Sequence, residues 1–315
     1  MDALLVDFQV SGVRTLIFLP PLVAFVVSFF SSMGGVSGAF FLLPYQVSIL
    51  QFTSPSVTST NFVYNIVAIP SGVLRYLREG RMAWPLAGVI LAGTLPGVFL
   101  GYSLRVSWLP DPGSFKLFAG CVLLYIAGNL VFTIFRDDRR SGSGGGTAKS
   151  INAVSGIPNG SQSRTSIRSM SLSLKKIEYT YGDEAFSVNT LALFLIALAV
   201  GVVGGAYGIG GGSLLAPLCV AVFHLPVYTV AGACLLGTFL TSIAGVLFYS
   251  LLPLQPGLST SPDWMLGILF GLGGILGMYC GARLQKHVPQ KYIKGILALI
   301  MLFLSCRYIS GFFST

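Results

Sequence analysis

Hydrophobic positions fill long stretches of this chain, and polar ones are confined to the intervals between them. Apolar runs of about 20 residues, the length a helix needs to cross a bilayer, recur around 15–34, 56–76, 84–104, 115–135, 188–207, 227–250, 264–284 and 292–312. Two shorter apolar segments, 38–50 and 211–224, each follow a glycine-rich interruption. Ten-residue alternating strands of the kind that build a membrane barrel do not occur, so the pattern predicts helices. Between 136 and 187 it stops. "RDDRRSGSGGGTAKS" and "IPNGSQSRTSIRSMSLSLKK" are polar, rich in Gly and Ser and without hydrophobic period. This stretch is expected to be a flexible linker between a first transmembrane unit, 1–135, and a second, 188–315. The first run follows a polar start and lacks a small-residue cleavage site, so it reads as a retained span.

Two apolar halves of similar length invite a search for repetition. A shift of 173 residues pairs Gly35 with Gly208, Pro44 with Pro217 and "SGVLRY" at 71–76 with "AGVLFY" at 244–249. After a short insertion the shift becomes 180, pairing Trp84 with Trp264, Gly93 with Gly273, Gly97 with Gly277, Gly101 with Gly281 and Leu104 with Leu284. The chain therefore reads as a duplication. Small residues four apart let helix backbones touch, so both Gly-x-x-x-Gly series are expected to pack helices.

Composition agrees with the pattern, at 54% hydrophobic and only 9% charged residues. The five cysteines lie in or at the ends of apolar segments without metal-like spacing, and read as packing residues rather than a disulfide framework. A net charge of +9 does not point to nucleic acid, because the basic residues sit between spans. Basic residues gather on the cytoplasmic side. With five crossings in each half, the second of them short, fifteen of the nineteen Lys and Arg share one side, leaving Arg14, Arg105, Lys116 and Arg307 opposite. Counting each broken pair as one crossing gives thirteen against six. An odd number per half turns the second half upside down. The expected fold is an all-α polytopic membrane protein of two inverted repeats, eight long spans plus two short segments. Its linker is cytoplasmic and both termini are outside the plasma membrane.

None of the ten acidic residues falls in the middle of a span, so no carboxylate proton relay is available. The histidines, His224 and His287, stand at segment ends without a paired carboxylate or a second His at i+4. No H-E-x-x-H helix or G-x-S-x-G elbow occurs, and no catalytic residue, metal ligand or cofactor is expected. Gly208-Ile209-Gly210-Gly211-Gly212-Ser213 lacks the soluble strand and the Gly-Lys-Ser/Thr ending of a nucleotide loop. Its location carries more meaning. Unwound backbone at membrane depth survives only inside protein or along a wet cavity, and paired broken segments in two halves point to a transporter's substrate site. N–H groups at the start of each following half-helix, near Gly210–Ser213 and Ser37–Phe40, favour an anion. The other reading of these glycines is tight helix crossing.

The candidate substrate-binding set is Gly35, Ser37, Gly38, Asn61, Asn65, Arg75, Gly208, Gly210, Gly211, Gly212, Ser213 and Thr238, with Thr58, Thr60, Thr241 and Ser242 as further polar wall positions. Asn61 and Asn65 are one helical turn apart and face one way, toward a cavity or an interhelical hydrogen bond. Arg75 either binds an oxyanion bidentately or snorkels to the interface.

"GVVGGAYGIGGGSLLAPLCV" at 201–220 with "VYTVAGACLLGTFLTSIAGVLFY" at 227–249, and the degenerate copy "SSMGGVSGAFFLLPYQ" with "SPSVTSTNFVYNIVAIPSGVLRYL", resemble the sulfite exporter TauE/SafE family over roughly 16–135 and 188–312. The first copy departs from the glycine-rich pattern at Ser37, Ala39 and Phe40, where the second has Gly210, Gly212 and Ser213. The resemblance implies a lipid-embedded carrier exporting sulfite or a related organosulfonate or small anion, and the reading admits a homodimer. With the cell interior negative, each negative charge leaving gains roughly 2.3 kcal/mol per 100 mV. A transporter of a different anion and a membrane assembly or sensory component that moves nothing are the other readings.

Overall fold

The computed structural model describes residues 5–34, 36–80, 82–141, 167–172, 176–181, 184–223, 225, 227–252, 255, 257–284 and 290–313. It is mostly helical. Six helices among the described residues are long and apolar enough to cross a membrane, which makes this a multi-pass membrane protein. They are α5 (Trp84–Ser107), the apolar part of α6 (Pro112–Ser141), α7 (Thr190–Tyr207), α9 (Val227–Leu251), α10 (Trp264–Leu284) and α11 (Gln290–Phe313). The shorter apolar helices are α1 (Leu19–Gly34), α2 (Ala39–Ser48) and α8 (Gly211–Val222).

Two of the eight expected long spans are cut short, each for a local reason. The first loses its beginning to a hairpin, β1 (Leu5–Phe8) with β2 (Val13–Leu16), turned at Gly12 with φ +68°. Asp263 anchors it. One carboxylate oxygen accepts from the Ser11 amide and hydroxyl at 3.2 and 2.9 Å, while the other accepts from the Leu266 amide at 3.1 Å and so caps the start of α10. The span expected at 56–76 becomes α3 (Ser56–Ala68) and α4 (Pro70–Arg78), because Pro70 has no N–H to give the ladder.

The stretch expected to be a flexible linker differs most. α6 runs on to Ser141, and the last part folds as an antiparallel sheet of β3 (Ile167–Leu172), β4 (Lys176–Tyr181) and β5 (Glu184–Asn189). Ile177 and Tyr179 are buried while Lys176 and Glu178, which alternate with them, are exposed, a period of two too brief to stand out in polar surroundings. The Tyr179 hydroxyl lies 2.9 Å from Thr229 Oγ1, tying the sheet to the first turn of α9.

Glycine contacts fix the helix directions. On α5, a Cβ at Gly97 would stand 2.5 Å from the Leu198 carbonyl and 2.8 Å from Gly201 Cα; Gly93 faces Ala197 and Gly101 faces Gly205. α5 and α7 therefore lie backbone to backbone and run the same way, the close packing that small residues four apart permit. Gly273, Gly277 and Gly281 of α10 meet Pro21, Phe25 and Phe29 of α1 in the same fashion. α3 and α4 oppose α9, with Phe62 beside Gly245, Gly72 beside Leu235 and Tyr76 beside Gly232. α6 opposes α11, with Gly113 near Phe312 and Gly120 near Ser305. α8 turns back along α7, Gly210 against Gly204 and Gly211 against Gly201, so the pair is a hairpin with its tip at 208–210. α3 lies at the centre, buried from Ser56 to Asn65.

Candidate functional site

The break between α7 and α8 is made by glycines used in two ways. Gly208 closes α7 in the left-handed region at φ +87°, its N–H donating to the Gly204 carbonyl at 2.9 Å. Gly210 sits at φ +75°, ψ +150°, a backbone shape essentially closed to other residues. Contact adds a second demand. Side chains here would strike Thr58 from Gly208, Thr238 from Gly210, Thr94 from Gly211 and the Cys234 carbonyl from Gly212. The Gly211 amide donates to Thr241 Oγ1 at 3.2 Å, and the Ser213 hydroxyl turns back to the Ile209 and Gly210 carbonyls at 3.1 Å.

The other break joins α1 to α2. Gly35 lies outside the described residues. Gly38 has right-handed helical angles, so space rather than strain requires glycine: a Cβ there would stand 2.5 Å from the Tyr64 hydroxyl and 2.9 Å from Ser28 Oγ. Those two oxygens are 2.9 Å apart. Ser37 Oγ accepts from the Ala39 amide at 3.3 Å, and the amides of Phe40, Phe41 and Leu42 donate to Ser37 and Gly38 carbonyls. The first turn of α2 thus satisfies its own amides.

Asn61 joins the two breaks. Its side-chain amide donates one hydrogen to the Ala39 carbonyl at 3.2 Å and the other to the Gly208 carbonyl at 3.1 Å. Thr58 Oγ1 donates to the Ala206 carbonyl, and the Tyr207 hydroxyl to the Phe40 carbonyl, both at 3.1 Å. Asn61 Oδ1 and both amide atoms of Asn65 are completely buried without a hydrogen-bond partner. Each such group costs about 1–3 kcal/mol, and an unsatisfied group in a native interior marks a place where something else can bind. Under the shift of 173, Asn65 corresponds to Thr238, whose side chain packs against Gly210 and Gly212.

Ser37, Gly38, Asn61, Gly208, Gly210, Gly211, Gly212, Ser213 and Thr238 therefore gather at the breaks, with Asn65 one turn along α3. Arg75 does not. It sits half-exposed at the end of α4, its Nε 2.8 Å from Glu79 Oε1. Sequence reasoning passed over Ser28, Tyr64, Thr94 and Tyr207, since single hydroxyls scattered in apolar spans carry no spacing signal. His224 and His287 lie outside the described residues, and no group of three potential metal ligands assembles among the described ones.

A family model, sulfite exporter TauE/SafE, matches residues 21–308 and so spans both breaks. The chain belongs to this family. The TauE/SafE chain is 22% identical over 296 residues to "Probable membrane transporter protein YunE" of Bacillus subtilis (strain 168), covering 90% of this chain and 94% of that protein. It is 25% identical over 124 residues to "Probable membrane transporter protein YdhB" of the same organism, covering 36% of this chain and 48% of that one. No solved structure matches it. With its membrane helices, this TauE/SafE member is a multi-pass membrane transporter.

Proposed function

We propose that the protein exports sulfite or a related small organosulfonate across the plasma membrane by alternating access, holding the anion between the two breaks. One observation carries this reading: a single buried side chain, Asn61, ties together the backbone of both breaks while the donor Asn65 Nδ2, one turn along α3, has no partner. An oxyanion would take hydrogen bonds from Asn65 Nδ2 and from the start of α8, where it replaces the Thr241 hydroxyl on the Gly211 amide. Backbone donors there, together with the helix dipole, suit a negative ligand, and a neutral Asn amide binds it without a charge that would hold it fast.

Opposed directions support the inverted arrangement of repeats. α3 and α9 correspond in sequence and run antiparallel, as do α6 and α11. Two halves built alike and turned over give alternating access a simple form, the site facing each side in turn. The bias of the basic loops supports a cytoplasmic side for the Arg75–Arg78 end of α4 and the linker, with the N-terminal hairpin and the end of α11 outside.

Counterflow of labelled sulfite in proteoliposomes preloaded with sulfite, sulfate, taurine, isethionate or sulfoacetate tests the substrate. Uptake driven by sulfite or a sulfonate is expected. Uptake no faster than in protein-free liposomes with every one of these contradicts the proposal, and is the outcome expected of a sensory or assembly component.

A further inference from the structure

Arg105 is a buried cation without a counter-charge. It stands in the last turn of α5 and is fully excluded from solvent. Its guanidinium donates to the Leu109 carbonyl and, at 3.2 Å, to the Thr53 carbonyl, and its central carbon lies 3.7 Å from the centre of the Phe115 ring. Its Nε–H has no partner. Arg14 pairs with Asp7 and Arg75 with Glu79, and among the described residues no carboxylate pairs with Arg105. Carbonyls and a ring face satisfy hydrogen bonds without cancelling the charge, and a buried charge lacking a counter-ion is costly.

The same residue stands at the end of a polar path from the second break. Gly208 packs on Thr58, whose hydroxyl donates to the Ala206 carbonyl. Beside it, the Tyr249 hydroxyl donates to the Gly205 carbonyl at 3.1 Å, and its ring packs on that of Tyr102, one turn before Arg105 on α5. The shift of 180 places neutral Gln285 opposite Arg105, with Arg283 in the last turn of α10.

We infer that Arg105 forms a second anion subsite for a small oxyanion, between the break at Gly208 and the membrane face where α5 ends. This rests on the proposed export function. An anion released from the breaks is drawn along Thr58 and Tyr249 to the guanidinium fork, displacing carbonyl contacts and filling the Nε–H, before it leaves by that face. A neutral solute gains nothing there.

Titration calorimetry with sulfite on the purified full chain, alongside its melting temperature, tests the subsite. Arg105→Gln is expected to raise the sulfite Kd about tenfold or more, since a charge-assisted bidentate contact is lost. An unchanged Kd with a lowered melting temperature means that Arg105 only ties Thr53 and Leu109, and overturns the inference while leaving the export reading intact. If the Gln variant does not fold, Arg105→Lys replaces it. Losing the planar fork is expected to cut the preference for sulfite over chloride about fivefold, and an unchanged preference overturns the inference. A wild-type protein that binds neither sulfite nor any organosulfonate overturns both.

Discussion

Asn61 and Asn65 show how one turn of helix can hold a tie and a vacancy together. Asn61 spends both of its hydrogens on backbone from the two breaks, whereas the Asn65 amide spends none. Their replacement should therefore separate stability from transport. Asn61→Leu leaves two buried carbonyls without their donor and is expected to destabilise the protein by about 1–3 kcal/mol, read as a lower melting temperature in detergent. Asn65→Leu fills a similar volume and removes two atoms that had no partner. It is expected to keep or raise the melting temperature while cutting sulfite flux about tenfold or more; unchanged flux removes Asn65 from the site. At the second break Gly211 is the sensitive position, because a side chain there meets Thr94. Gly211→Leu is expected to abolish transport while the protein still reaches the membrane.

Among the elements, glycine has two different uses that mutation can distinguish. Gly97 and Gly277 sit where α5 meets α7 and α10 meets α1, and any side chain would separate the backbones. Gly97→Ala is expected to cost about 1–3 kcal/mol through overpacking, with its loss of flux explained by loss of folded protein. At the start of α10, Asp263→Ala removes both an N-cap and the hairpin's anchor, for an expected cost of about 0.5–2 kcal/mol. Most of the helices were legible from apolar length alone, and the glycine stripes from their spacing. What escaped depended on short or single signals. Pro70 is a single residue within one apolar run, β4 shows its alternation over only six residues, and the first span's opening residues are as suitable for a strand as for a helix. The site was legible at its glycines, whose crowding in an apolar run is conspicuous. Its donors were harder to foresee, since the amides that begin α2 bond within their own turn. Arg75, open in sequence to oxyanion binding or to snorkelling at the interface, pairs instead with Glu79 four residues on.

For the whole molecule, the proposed orientation makes physical demands beyond the site. A substrate leaving as an anion moves down the membrane potential, and each charge gains roughly 2.3 kcal/mol per 100 mV, so export needs no proton relay. The arrangement also predicts sidedness. Single cysteines placed in the β1–β2 hairpin should react with an impermeant maleimide from outside intact cells, and those in 142–166 only after permeabilisation; reversed labelling contradicts the orientation. The most direct measurement of the central claim is efflux of labelled sulfite from proteoliposomes under a potassium-diffusion potential, interior negative, for the wild type and Asn65→Leu. The account predicts that the potential accelerates wild-type efflux and that the variant loses most of this flux. Efflux indifferent to the potential and equal to that of protein-free liposomes would contradict it.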